Sequence, residues 1–497
     1  VNNKFKPFHL ILMAASFAVV IYMLFYNLGE GYLVQTDEAY HATNAYEMYK
    51  QGNWVINTYR YATDYFNSKP PLCLDLMVMA YKAFGVSGFA ARFPSALGGL
   101  IICVVTSAFL LYDKRPLAAA LFPLLLGTCS KLFSFHMFRA AEMDSLYNMF
   151  FTLAMLALFL MIEHPDFMYA YGLCLGLAFM CKGPHAAIIF IIGLLSILVT
   201  RAAFGSVKRV ILSAVLAAII PCLWIVKRFM FDGFELLNAL FFGEVVERVA
   251  DADTSFSVPI IDFVTSNIFV AFVILLAVVF AISMIAAKKN VKETGREFTG
   301  FFRSNYIFIL WAFVPVAIFS ATKSSLSWYT YTSQIAVCIL VARLVDYCVD
   351  RISTGSAVLK CAVPVLTVVL SVIFIIPTIR DYINVAGKGG HPVDQLTFEL
   401  KEMRDEYGDS LSGKNAYLIA DFLVDPENTD HWEPEYVAPA EMYLDLIPVD
   451  GEVDNFLSDD NAIIIVDKDK WDEYAEVLSG YVILHDDSYL IFSSERY

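Results

Sequence analysis

The chain has 497 residues, of which 58% are hydrophobic and 15% aromatic while only 17% are charged, and its mean hydropathy is +0.59. That is more apolar side chain than a soluble core needs, which excludes an ordinary soluble enzyme and indicates an integral membrane protein. The formal net charge of −15 is a property of the tail, since more than half of the acidic residues lie beyond residue 380, and basic residues cluster only in short loops, which argues against nucleic-acid binding.

Apolar runs of about 20 residues, each able to cross a bilayer core of roughly 30 Å as a helix, fall near 8–28, 89–112, 116–135, 144–162, 166–181, 184–200, 209–230, 261–286, 304–321, 329–349 and 357–379. The segment from Pro71 to Phe84 is either a twelfth, short span or a helix lying at the membrane surface. With Lys4 and Lys6 in the cytoplasm, alternation of the spans also puts Lys114, Arg115, Arg201, Lys208, Arg209, the cluster from Lys288 to Arg303, Arg351 and Lys360 inside, as positive charge in cytoplasmic loops requires. The first run reads as an uncleaved anchor, because no small-residue cleavage site follows it. Nine cysteines lie almost entirely in the apolar runs. They read as small buried hydrophobes, with no disulfide framework and no C-x-x-C motif.

Three segments are then outside: 29–88, 231–260 and everything after 380. The last changes composition abruptly after NVAGKGGHPVD and alternates short strands (NAYLIADF, NAIIIVD, GYVILHD, SYLIFSS) with helices (QLTFELKEMRDEYG, KDKWDEYAEVLSG). The expected architecture is a mainly α, polytopic membrane protein, with a transmembrane helical domain over 1–380 and a small, acidic, extracytoplasmic α/β domain over 381–497. The acidity of that domain reads as a solvated surface.

Polar groups that are expensive at a membrane boundary all fall on the outer side of this topology: Asp37 and Glu38, Lys69 in FNSKPPL, Arg92 in ARFPSA, Arg139 and Asp144 in FRAAEMDS, Lys182 in CKGP, Glu244, Glu247 and Arg248 in FFGEVVERV, and Lys323 with Tyr329 in TKSSLSWYTY. A transporter or flippase of a lipid-linked glycan would place ionisable groups near the bilayer midplane instead. The one-sided ring fits an enzyme working at the outer surface. Several cations with few carboxylates suit an anionic leaving group, phosphate first, with one carboxylate as general base toward an acceptor hydroxyl. Taken singly, each residue also has a structural reading. Thr36 can cap a helix whose first turn carries Asp37 and Glu38, Tyr40, Tyr46 and Tyr49 can hold that helix on the membrane, and Lys69 can snorkel. Arg92 can anchor a helix end, Arg139 can pair with Asp144, Lys182 can mark a tight Gly-Pro turn, and Trp328 and Tyr329 can belong to an interfacial aromatic belt.

The ordered series DEAYHATNAYEMYKQGNW, FNSKPPL, GVSGFAARFPSALGGL, RAAEMDS, CKGP and KSSLSWY resembles the bacterial lipid A aminoarabinose transferase and protein O-mannosyltransferase superfamily of glycosyltransferases with the GT-C fold, over residues 5–350. The resemblance implies transfer of a sugar, with inversion, from a polyprenyl-phosphate donor such as an undecaprenyl-phosphate sugar to an extracytoplasmic acceptor. That acceptor is a lipid A-like lipid or a glycan, or alternatively a protein. It implies a bacterial inner-membrane location, with the active site outside.

By position, Asp37 corresponds to the presumed base, with Glu38 as a second catalytic candidate. Lys69, Arg248, Lys323 and Tyr329 correspond to donor-phosphate contacts and Arg139 with Asp144 to the polar pair after the third span; these two, with Lys182 and Arg92 from the outer ring of charges, are the candidate substrate contacts. In aminoarabinose transferases a glutamate before the K-P-P lysine and a histidine in the later outer loop can share a metal ion. Here Ser68 stands at the first position, and 231–260 holds no histidine. The expectation is therefore no cofactor and no metal, with the phosphate met by Lys69, Arg248 and Lys323.

Overall fold

The structure is a computed structural model and describes residues 6–33, 36–200, 206–240, 242, 258–285, 291–321, 326–351, 357–385, 392–420 and 432–497. Seven helical stretches among these are long and apolar enough to cross a membrane, and two bent helix pairs raise the number to nine. One of the seven, Phe167–Val199, is itself a hairpin. Helix α8 (Phe167–Lys182) ends at Gly183, whose φ of 55° only glycine adopts freely, and a 3-10 turn at Gly183–Ala186 leads into α9 (Ala187–Thr200). The Tyr171 hydroxyl, near the start of α8, donates to the Ile189 carbonyl in α9 at 2.8 Å, so the chain has doubled back. With the short helix α5 (Pro116–Gly127), every one of the apolar runs read from the sequence has a helix.

Helix α1 (Pro7–Phe25) packs on α4 (Gly88–Tyr112) and α5, and α7 (Met143–Leu160) packs on α4 and α8. Gly172 and Gly176 bring α8 against α10 (Val207–Asp232) so closely that a Cβ at either position would overlap the Ser213 or Ala217 carbonyl. Small residues four apart permit this approach where no hydrophobic effect drives helices together. The segment 71–84 contains a helix of only 13 residues, α3 (Leu72–Phe84), entered through Pro71.

Helix α2 (Thr36–Gln51) is mostly buried, and its contacts correct the expectation of a helix resting on the membrane. Thr36 is the first helical residue, and its hydroxyl donates to Glu435 at 2.7 Å rather than capping the helix. Tyr46 donates to Asp445 at 2.6 Å, Tyr40 stacks on Tyr59 at 4.0 Å, and Tyr49 meets the edge of Tyr81. Behind α2 a two-residue hairpin joins β1 (Thr58–Tyr59) to β2 (Ala62–Thr63). Its corner residues Arg60 and Tyr61 both have positive φ, 50° and 59°, the conformation of a type I′ turn but without the usual glycine or asparagine. Contacts offset that strain: the Tyr61 amide donates to Glu47 at 2.9 Å, and Arg60 reaches Asp450 at 2.9 Å.

The C-terminal part carries a five-stranded sheet in the order β4-β3-β5-β7-β6. Strands β3 (Asn415–Ile419), β4 (Ile447–Pro448) and β5 (Ala462–Asp467) are parallel, whereas β6 (Tyr481–Asp486) and β7 (Tyr489–Arg496) are antiparallel. Alternation along β5 serves two layers, Ile463 and Ile465 facing one buried cluster and Ile464 and Val466 the other. All four strands read from the sequence are present. Edge strand β4 and the helix Pro434–Leu444 before it were not predicted; Pro434 and Pro439 obscure that helix in the sequence.

That helix lies on α2, and the junction buries two carboxyls together. Glu441 is fully buried with no hydrogen-bond partner among the described residues. Burial first, and then the charge of Glu47, hold its pKa well above the carboxylate range, while burial raises Glu47 to about 7. Because the folded pKa values lie above the unfolded ones, the stabilising form is the protonated one, complete below about pH 4.5 and lost as pH rises through about 7. Thermal melting of the purified protein is therefore expected to fall between pH 5 and pH 8, and Glu441→Gln to flatten that profile.

Candidate functional site

The loop between α2 and α3 is ordered by asparagines. Asn44 donates to the Thr58 carbonyl at 2.6 Å and accepts from Asn67 at 2.9 Å, and Asn57 donates to the carbonyls of Asn67 and Lys69 at 2.8 and 3.1 Å. These bonds fix the backbone at Lys69. From α7, Asp144 in the first turn accepts from Lys182 at the end of α8 at 2.5 Å, with both side chains buried. The Lys182 ammonium also lies 4.9 Å from the centre of the Tyr329 ring, a cation–π contact. Tyr329 belongs to the 3-10 turn Ser327–Thr330.

These elements close around one cavity of about 50 Å³, whose lining includes Asp37, His41, Lys69, His136, Glu142, Asp144, Lys182 and Tyr329. It has room for a few small ligands such as waters, not for a sugar. Of the residues singled out in the sequence, the fold brings Asp37, Lys69, Asp144, Lys182 and Tyr329 together here. Asp37 is exposed at the rim. Arg248 and Lys323, with Glu244 and Glu247, lie outside the described residues.

Glu38, Arg92 and Arg139 do not line the cavity. The Arg92 guanidinium forks onto Glu38, Nε to Oε1 at 2.7 Å and Nη2 to Oε2 at 3.0 Å, and donates further to the carbonyls of Leu28, Glu30 and Tyr32. Glu38 completes its shell with the Ala141 amide at 2.8 Å. Arg139 is not paired with Asp144; it donates to the carbonyls of Met23, Leu24 and Asn27 and lies over the Tyr382 ring at 4.0 Å. Both arginines therefore donate to carbonyls in the last turn of α1 and in the segment just after it.

Three ionisable cavity residues were not singled out in the sequence: His41, His136 and Glu142. His41 lies four residues after Asp37, hence on the same face of α2, and that spacing was the available signal. Glu142 is buried at the start of α7 between two imidazoles, 3.2 Å from His41 Nδ1 and 3.1 Å from His136 Nδ1. Burial alone would raise its pKa, but His41 and His136 overcome this and hold it at about 2. Burial would lower the pKa of His136, but Glu142 raises it overall. The His136 ring is clamped flat on Trp328 at 3.9 Å. As for the metal position implied by the resemblance, Ser68 is a buried hydroxyl, not a carboxylate, and 231–260 contains no histidine; these residues do not fit a divalent ion there.

Residues 68–226 match the profile of a family described as dolichyl-phosphate-mannose-protein mannosyltransferase. An undecaprenyl phosphate-alpha-4-amino-4-deoxy-L-arabinose arabinosyl transferase of Photorhabdus laumondii is 25% identical over 372 residues, 70% of this chain, and its counterpart in Yersinia pestis is 25% identical over 356 residues, 68% of this chain. The chain spans 62% and 60% of the length of these two relatives. The crystal structure of ArnT from Cupriavidus metallidurans bound to undecaprenyl phosphate superposes with a TM-score of 0.68 at 18% identity, covering 98% of both chains. The chain is thus similar to aminoarabinose transferases and, over part of its length, to the protein mannosyltransferase family, and it shares the fold of ArnT. It is a multi-pass membrane protein with that fold.

Within this fold the Glu38–Arg92 pair is a structural clamp, and removing one partner strands a buried charge at a cost of about 3–5 kcal/mol. Arg92→Ala and Glu38→Ala are each expected to lower the melting temperature of the detergent-purified protein sharply. A double Glu38→Gln/Arg92→Met variant is expected to recover part of that loss, as a double-mutant cycle on melting will report.

Proposed function

We propose that this chain is a membrane glycosyltransferase that moves a sugar from a polyprenyl-phosphate donor to an acceptor hydroxyl on the extracytoplasmic side of the bacterial inner membrane. The observation that carries the reading is the convergence of Asp37, Lys69, Asp144, Lys182 and Tyr329, drawn from separate sequence motifs, on one cavity at one end of the helical bundle. Support comes from the relatives, whose names specify undecaprenyl-phosphate-linked sugar transfer, and from the solved neighbour with undecaprenyl phosphate bound.

In this reading the acceptor oxygen attacks the anomeric carbon from the face opposite the phosphate. The bond from that carbon to the phosphate oxygen breaks, and polyprenyl phosphate leaves with the electron pair, so the anomeric configuration inverts. Asp37, at the exposed rim, takes the acceptor proton. Lys69, with Lys182 held by Asp144 behind it, meets the negative charge gathering on the phosphate. Arg248 and Lys323 are proposed as further phosphate contacts. The cavity is smaller than a sugar, so the donor sugar lies across its mouth. A pentose or hexose on a lipid or glycan acceptor is the form we favour over a protein acceptor, since the full-length relatives that match are named for arabinosyl transfer rather than protein mannosylation.

Replacing the general base is worth about 10²–10⁴-fold in rate. Asp37→Asn is accordingly expected to reduce transfer by at least that range while leaving the fold and polyprenyl-phosphate binding intact. Mass spectrometry of surface lipids, glycans and proteins from cells carrying the gene, lacking it or carrying Asp37→Asn is the readout. One sugar mass should disappear in both altered strains, and its retention with Asp37→Asn removes the base assignment.

A further inference from the structure

Asp37, His136 and Glu142 each place a ligand-type atom within 4.8 Å of the other two. The atoms are an imidazole nitrogen and two carboxylate oxygens. They come from α2, from the loop after Ser134 and from the residue that opens α7, three segments that only the fold unites. A second observation is independent of that proximity. His136 Nδ1 and Glu142 Oε1 are both buried, and neither has a hydrogen-bond partner among the described residues, although they stand 3.1 Å apart; His41 Nδ1 is likewise unpartnered, 3.2 Å from Glu142 Oε2. The ring and the carboxylate are thus close without the alignment a hydrogen bond needs. These buried groups are paired by charge but not by aligned hydrogen bonds, so the carboxylate and a deprotonated His136 keep lone pairs that a cation can take.

We propose that Asp37, His136 and Glu142 bind a divalent first-row metal ion of the Mn²⁺ to Zn²⁺ class. One imidazole with two carboxylates is a donor set these ions accept, whereas Mg²⁺ and Ca²⁺ prefer all-oxygen shells. Two ligand atoms each about 2.1 Å from a tetrahedral ion are themselves separated by about 3.4 Å. The 3.1 Å between His136 Nδ1 and Glu142 Oε1 is close to such an edge. The supporting residues have the right chemistry. Trp328 fixes the plane of the His136 ring, and His41 orients Glu142 from the side away from His136. The His136 backbone has φ +56°, so the loop bends tightly to turn this side chain inward. Asp37, the exposed ligand, would bind through one carboxylate oxygen and keep the other for the acceptor proton, and the cavity of about 50 Å³ has space for the ion and a water.

This site differs from the one implied by the resemblance, which Ser68 and the histidine-free 231–260 segment cannot form. It replaces the metal-free expectation, which weighed only those two positions. The site stands on ligand geometry and does not depend on the transfer reaction.

The test uses the full-length protein in detergent, stripped with a chelator and re-dialysed against Zn²⁺ or Co²⁺, with elemental analysis and titration as readouts. Wild type is expected to bind one equivalent with a rise in melting temperature. His136→Ala/Glu142→Gln is expected to bind none, and His41→Ala to keep the stoichiometry with affinity about 10–100-fold weaker. A wild type that binds no equivalent, or a folded double variant that binds as wild type does, overturns the proposal. Should the double variant not fold, X-ray absorption on the Zn²⁺-loaded wild type decides. A nitrogen and oxygen shell with imidazole scattering supports the site, and a sulfur shell or a shell without imidazole overturns it. Because these measurements read binding, a negative result leaves the glycosyl-transfer reading standing on its own test.

Discussion

The geometry of the site depends on how the chain leaves its first apolar helix. The last carbonyls of an α-helix have no partner within the helix, and at a membrane boundary they compete poorly for water. Here two arginines from elsewhere in the chain supply donors: Arg139 to Met23, Leu24 and Asn27, and Arg92 to Leu28, Glu30 and Tyr32. Arg92 still has a guanidinium edge to spare, and it takes the Glu38 carboxylate. The same residue therefore stitches the segment leaving α1 to the first turn of α2. Asp37, next to Glu38, is aimed at the cavity as a consequence.

This explains why neighbouring acids have opposite fates. Glu38 has a forked guanidinium and a backbone amide, which leaves it no capacity for a ligand. Asp37 is exposed, one residue away and on a different face of the helix. Glu142 is the third case, fully buried and met, among the described residues, by two imidazoles. A carboxylate saturated by arginine and amide donors is architecture; one facing imidazoles and open space remains available to bind something.

The helices were legible in the sequence because each apolar run must pair its backbone internally whatever its neighbours do. The C-terminal strands were legible from alternation, as in AIIIVD. For the site, the rule that charges gather at one end found Asp37, Lys69, Asp144, Lys182 and Tyr329. It could not separate them from Arg92 and Arg139, because a cation that feeds carbonyls and one that faces a cavity are the same residue type at the same depth. The partner of Asp144 was misjudged for the same reason: Arg139 is nearer in sequence, while Lys182 is nearer in space only because α8 packs along α7. His136 was hidden because its neighbours in FSFHMFRAA read as apolar, and its role emerges only when Trp328, nearly two hundred residues later, is laid against it.

Helix α2 carries consequences in two directions. One face presents Asp37 and His41 to the cavity, while Thr36, Tyr46 and Lys50 bind Glu435 and Asp445 of the C-terminal part at 2.6–2.7 Å. A helix of 16 residues that is mostly buried on both sides has little freedom to rotate. A rotation about its axis large enough to withdraw Asp37 from the cavity would break the bonds to Asp445 and disturb the Glu47 and Glu441 pair. The acidic C-terminal part thus acts on the site mechanically, by fixing the angle of the helix that bears the candidate base, and it need not contribute a side chain to the cavity to do so.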